Sequence, residues 1–219
     1  MIKLPDNKKA FEYENGFYLT CHPSRMAKHL AHLELMKKTW NTYGAIVECG
    51  VFKGASLTRF AMYRSLFGTA LSKKIIGFDV FGEFPETKYN DDQKPRKEFI
   101  NNAGNCSISR TQLINILKDK GCSENVELVE GDVCVTVPEY IGNNPGLKIS
   151  LLHLDVDIFE PSVTIMEQLF PRLMPGGILI IDDYERFPGE TKAVDDALEG
   201  TGLKIQKFNY CSTPCYVVK

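Results

Sequence analysis

Residues 151–184 read LLHLDVDIFEPSVTIMEQLFPRLMPGGILIIDDY. An apolar run ends in Asp155 and Asp157, and a helical segment follows. After the turn Met174-Pro175-Gly176-Gly177, a second apolar run ends in Asp182 and Asp183. Short apolar runs bounded by turn signals predict strands buried on both faces of a parallel sheet. Two such strands joined by a helix send their carboxyl ends to one edge, where open α/β sheets bind ligands. The stretch therefore gathers four aspartates at a ligand site, with no basic residue immediately beside any of them in the chain.

Like charges this close raise one another's pKa and resist ionising. A divalent cation relieves the repulsion. Carboxylate oxygens without nearby cysteine favour a hard ion, Mg²⁺, Ca²⁺ or Mn²⁺, over zinc. One acid pair at a strand end is adequately explained as solvated or as a helix cap. Two pairs on neighbouring strands, about 4.8 Å apart, favour the metal. Successive strand residues point to opposite faces, so Asp182 and Asp183 can share an ion only where the strand has become a loop.

Upstream, Ala45 to Ser56 reads AIVECGVFKGAS, a short strand ending in Glu48 and then a glycine-bearing loop with Gly50 and Gly54 before a helix. Glycines let backbone approach a ligand, and the helix start offers free N–H groups. The spacing E-x-G-x-x-x-G-x-S is neither the dinucleotide fingerprint nor a P-loop. A second strand, 74–79, ends in Asp79, where cofactor-binding α/β folds hold ribose hydroxyls. A third, 126–130, runs into Gly131-Asp132. Downstream, 204–208 and 216–218 predict an antiparallel hairpin on the sheet edge.

The 219 residues suit a single domain, with 1–40 an arm and helix and 82–110 a long polar substrate or lid loop. In the helix at 23–40, Met26, Leu30, Leu33 and Lys37 share one stripe. His29 and His32 lie three apart there, without a third ligand nearby. A net charge of −2 gives no footprint for nucleic acid or an anionic membrane. No apolar run approaches the ~20 residues of a membrane span, and no signal peptide is visible. Seven cysteines without a C-x-x-C pair predict reduced thiols and a cytoplasmic setting.

Five β-α units followed by a terminal hairpin resemble the class I S-adenosylmethionine methyltransferase fold, a seven-stranded, mostly parallel sheet with helices on both faces. VECGVFKGAS, GFDVFGEFP, LHLDVDIFEPS, MPGGILIIDDY and PGETKAVDDAL together resemble the macrocin O-methyltransferase family of metal-dependent sugar O-methyltransferases. That resemblance implies S-adenosylmethionine as methyl donor, with Glu48, Gly50, Gly54, Ser56, Asp79 and Asp132 in its contacting motifs. It also implies Asp155, Asp182 and Asp183 as Mg²⁺ ligands, Asp157 as general base, and a homodimer or larger assembly. Val156 stands where a glycine is common, which leaves the ligands in place.

The chemistry such an enzyme faces is that an alcohol is a poor nucleophile, and aspartate with a pKa near ~3.9 is a feeble base toward it. A divalent ion lowers the hydroxyl's pKa, after which Asp157 needs only to accept the proton. A sugar hydroxyl is the expected acceptor. A catechol-type phenol fits the chelation equally, although the sparse aromatic content of 82–110 disfavours it. A module that binds S-adenosylmethionine without turnover is disfavoured by the intact acids, and a nucleic-acid methyltransferase by the net charge.

Overall fold

The computed structural model describes residues 2–219. One sheet runs in the order β3-β2-β1-β4-β5-β6, from β1 (Ala45–Cys49), β2 (Ile75–Asp79), β3 (Val126–Glu130), β4 (Ile149–Leu154), β5 (Leu173–Ile181) and β6 (Cys215–Val218). The first five strands are parallel and β6 is antiparallel to β5. Among the described residues eight α-helices accompany them: α1 (Ala10–Thr20), α2 (Pro23–Lys38), α3 (Ala55–Phe67), α4 (Gln93–Ala103), α5 (Arg110–Asp119), α6 (Val133–Asn143), α7 (Phe159–Gln168) and α8 (Pro188–Leu198).

Alternation along the strands divides the core. Ile46, Leu151, Ile178 and Ile180 pack with Leu35, Leu57, Phe60 and Leu113 of α2, α3 and α5. Their neighbours Val47, Leu152, Leu154 and Leu179 pack with Val137, Ile165 and Val194 of α6, α7 and α8. Burial of each such aliphatic side chain contributes about 1.5–3 kcal/mol. Strand order reverses between β1 and β4, so the crevice outside their carboxyl ends is the topological switch point. Glu48 and His153 are cross-strand partners there, on the face that meets α2 and α3.

The structure corrects or refines four expectations. The sheet has six strands, not seven. Residues 204–208 pair with β6 only at the isolated bridge Gln206–Tyr216, because the chain turns away at once, with Cys211 N–H donating to the Phe208 carbonyl at 3.1 Å. Residues 10–20, within the expected arm, form the helix α1. Segment 82–110 is not a loop throughout, since it contains α4. That helix lacked an apolar signature because its buried face centres on Arg96, which donates to the carbonyls of Pro85 (2.6 Å) and Phe84 (2.8 Å). Finally, α2 buries Ala31, His32, Leu35 and Met36, while Leu30 of the expected stripe is exposed. Among the described residues no helix is long and apolar enough to cross a membrane.

Candidate active site

A cleft of about 1170 Å³ opens at the switch point, large enough for two small ligands side by side. Its walls include Gly50, Ser56, Asp79 and Asp132 from the first three strand ends, and all four aspartates of β4 and β5. Gly50 has φ +92, and a Cβ on it would lie 1.7 Å from the Asp155 carbonyl oxygen. Only glycine permits the two loops to pass this closely. The backbone continues the register beyond the strands: Asp155 N–H donates to Cys49 O and Asp182 N–H to Leu154 O, both at 3.0 Å.

The residues expected at the cofactor divide into two groups. Asp79 accepts from Phe52 N–H (2.9 Å) and Phe81 N–H (2.6 Å), so one carboxylate fixes the loops after β1 and β2. Asp132 caps α6 through Cys134 N–H at 2.9 Å. Glu48 lies behind the wall, fully buried, accepting from the Ser56 hydroxyl and contacting His153 Nδ1 at 3.2 Å. Gly54 caps α3 at φ +79 and abuts Leu113.

The acid cluster is held from two sides. Asp155, Asp182 and Asp183 each place an oxygen within 4.8 Å of the others. Glu190, fully buried at the start of α8, accepts from Asp183 N–H (3.0 Å) and Asp157 N–H (3.2 Å) and so ties the β4 and β5 loops together. Asp92 does the same one shell out, accepting from Phe159 N–H (2.9 Å) and Gly189 N–H (2.8 Å). Across the cleft, α2 presents Lys28, whose ammonium pairs with Asp182 Oδ2. His153 Nε2 lies 3.2 Å and His32 Nε2 3.7 Å from Asp182 Oδ1.

Charge in the cluster is unevenly balanced. Burial, then the charge of Asp182, pushes the Asp155 carboxyl well above the usual range. Burial, then Asp183 and Asp155, does the same to Asp157, and Glu190 and Asp183 are raised for like reasons. Asp182 is the exception. Burial opposes its ionisation, yet Lys28 and the N–H groups of His153 and His32 hold it well below the carboxylate range. Burial works against charge on His153 as well, but its bonds to Asp182 and Glu48 raise it to about 10.

This pattern decides which atoms can hold a metal. His32, His153 and Asp182 also converge, as do Glu48, His153 and Asp155. Arg59 is donor-only and meets His32 Nδ1 at 2.9 Å, so Nδ1 accepts and Nε2 carries the proton. His153 contacts Glu48 through Nδ1 and Asp182 through Nε2, both at 3.2 Å. With one His32 nitrogen turned to Arg59 and both His153 nitrogens turned to carboxylates, the histidine-containing sets have fewer free donors. The all-oxygen set of Asp155, Asp182 and Asp183 is the one whose donors and excess negative charge suit a hard divalent ion.

A family model described as macrocin O-methyltransferase (TylF) matches residues 22–209. The chain belongs to this family. A curated relative from Streptomyces olivaceus, 8-demethyl-8-(2,3-dimethoxy-alpha-L-rhamnosyl)-tetracenomycin-C 4'-O-methyltransferase, is 28% identical over 144 residues, 64% of this chain. The match spans about half, 53%, of that relative's length. Among solved structures, the calicheamicin methyltransferase CalS11 superposes with a TM-score of 0.81 at 27% identity, covering 97% of this chain and 86% of CalS11. The O-methyltransferase NovP shares the fold, with a TM-score of 0.72 at 20% identity over 90% of this chain and 79% of NovP.

Sequence reasoning missed Lys28, Arg59, Glu190 and Asp92. Lys28 and His32 stand four apart on α2 and therefore share a face, which was a usable signal. His29, by contrast, is outside the cluster and stacks on Phe17 at 5.3 Å between centroids.

Proposed function

We propose that this member of the macrocin O-methyltransferase family transfers a methyl group from S-adenosylmethionine to a sugar hydroxyl, with a hard divalent ion, Mg²⁺ in the first instance, at Asp155, Asp182 and Asp183. The observation that carries the reading is the convergence of those three oxygens, within 4.8 Å, on a cleft shared with the Gly50 loop. The relatives support the acceptor class. The Streptomyces olivaceus protein is named for methylating a rhamnosyl group, and a second CalS11 structure (25% identity, TM-score 0.70) is described as a TDP-rhamnose 3'-O-methyltransferase.

S-adenosylmethionine would supply an activated methyl group, and the ion would supply Lewis acidity toward the acceptor oxygen. The chain's own residues do the rest. The loop from Gly50 to Ser56, with Asp79 and Asp132, would seat the cofactor. Asp157 would accept the hydroxyl proton. Its backbone stands at φ +66 and is fixed by Glu190, which aims the carboxyl from the β4 loop toward the cluster. Holding acceptor and donor in line is worth several of the ~7–11 kcal/mol available from orientation.

Segment 82–110 would form the acceptor wall. Its Phe84 and Phe99 line the cleft, with ring centroids 5.3 Å apart, and Phe52 lies 5.2 Å from Phe99. This apolar wall suits a sugar carried on an apolar aglycone, and it gives a phenolic acceptor a specific claim to be tested as well.

The full chain, incubated with S-adenosylmethionine and Mg²⁺, should add one methyl mass to a nucleotide sugar or a rhamnoside. Chelator should lower the rate by about 10²–10³-fold, the several kcal/mol a Lewis acid supplies, and added Mg²⁺ should restore it. Turnover of catechol but of no sugar acceptor, or full activity in chelator, would overturn the reading.

A further inference from the structure

The acid cluster already contains a cation supplied by the chain. Lys28 and His32 project from the same face of α2 onto the two oxygens of one carboxylate, Asp182. The Lys28 side chain retains 22% of its exposure while Asp182 retains 3%, so the ammonium closes the carboxylate from the cleft side. His32 is fixed from behind by Arg59 and stacked on Phe60 at 5.2 Å, and it cannot withdraw without repacking. Lys28 can, because its flexible stem borders open cleft.

The Asp182 carboxylate is thus claimed twice, by the ammonium on Oδ2 and by the ion of the proposed function, on which this inference rests. We propose that Lys28 is a resident counter-ion that competes with the divalent ion for Asp182, so that ion binding drives the ammonium off Oδ2 and into the cleft. Three facts support it. The pair is the only lysine contact to the cluster among the described residues. Two cations crowded onto one largely buried carboxylate repel one another. And among the described residues α2 reaches the β5 loop through Lys28 and His32, both on Asp182. Lys28 therefore offsets part of the negative charge of the cluster, sets how much ion is needed to load the site, and carries its ammonium into the cleft once loading has occurred.

The test needs no turnover. Mn²⁺ is titrated by calorimetry into the full chain, as wild type, Lys28→Met and Lys28→Arg, and melting is followed in chelator. Lys28→Met should bind Mn²⁺ at least about tenfold more tightly, the loss of one competing charge, and melt lower than wild type without ion. Lys28→Arg should stay within about threefold of wild type. In the wild-type protein Mn²⁺ should also speed acetylation of Lys28 by acetic anhydride, read by mass spectrometry, which keeps the test available if Lys28→Met does not fold. Unchanged or weaker Mn²⁺ binding by folded Lys28→Met, or acetylation that Mn²⁺ leaves unchanged or slows, overturns the competition and leaves the metal site standing. Mn²⁺ binding by neither protein overturns both.

Discussion

Asp157→Asn should lower kcat by about 10²–10⁴-fold, the usual worth of a positioned base, while leaving cofactor affinity within about twofold of wild type. The substitution is mild everywhere else. Asparagine accepts the left-handed backbone that Asp157 occupies at φ +66, and its N–H keeps the 3.2 Å bond to Glu190. The carboxyl of Asp157 is not among the three whose oxygens converge, so ion affinity should change little. What disappears is the proton acceptor. Steady-state rates with saturating Mg²⁺, set beside calorimetric binding of S-adenosylhomocysteine, separate the effects. A variant that retains more than a tenth of wild-type kcat would mean that another group takes the proton.

The second large effect is on stability, and it distinguishes two aspartates that look equivalent in the chain. Asp182→Asn should cost about 3 kcal/mol, the low end for breaking a buried ion pair because Lys28 keeps some contact with water. It strands the Lys28 ammonium and the His153 imidazolium, both of which depend on that carboxylate. For a chain of this size the loss corresponds to roughly 6–12 °C in melting temperature. Asp155→Asn should do the opposite. Its carboxyl is pushed up by burial and by Asp182, so neutralising it relieves repulsion, and melting in chelator should hold or rise. Both variants should lose ion-stimulated methylation. Thermal melts in chelator check the contrast, and equal destabilisation by the two would contradict the charge distribution described.

β1, β2 and β4 were legible because they are buried on both faces and carry largely apolar runs, IVEC, IIGF and SLLHL, whereas the edge strand β3, VELVE, is only partly buried. That the four acids line one cleft followed from the same reading, since β4 and β5 are adjacent and end together. The inward face of α2 was not legible. Lys28 and His32 belong to it because they answer acids 154 and about 150 positions away, and a polar residue on the buried side corrupts the stripe that periodicity seeks. Glu190 was hidden for a related reason. An acid in the first turn of α8 reads as a favourable partner for the helix dipole, whereas its carboxylate turns back to two backbone N–H groups of the strand-end loops. The seventh strand was anticipated from residues whose alternation is real, but the turn after Phe208 leaves room for one bridge only.

Anomalous diffraction from crystals grown with Mn²⁺ and S-adenosylhomocysteine tests the central claim most directly. The expected result is one manganese peak about 2.1 Å from oxygens of Asp155, Asp182 and Asp183, with the nucleoside against the Gly50 loop and Asp79. A peak held by other residues, or carboxylates that point apart with the nucleoside lodged elsewhere, would contradict it.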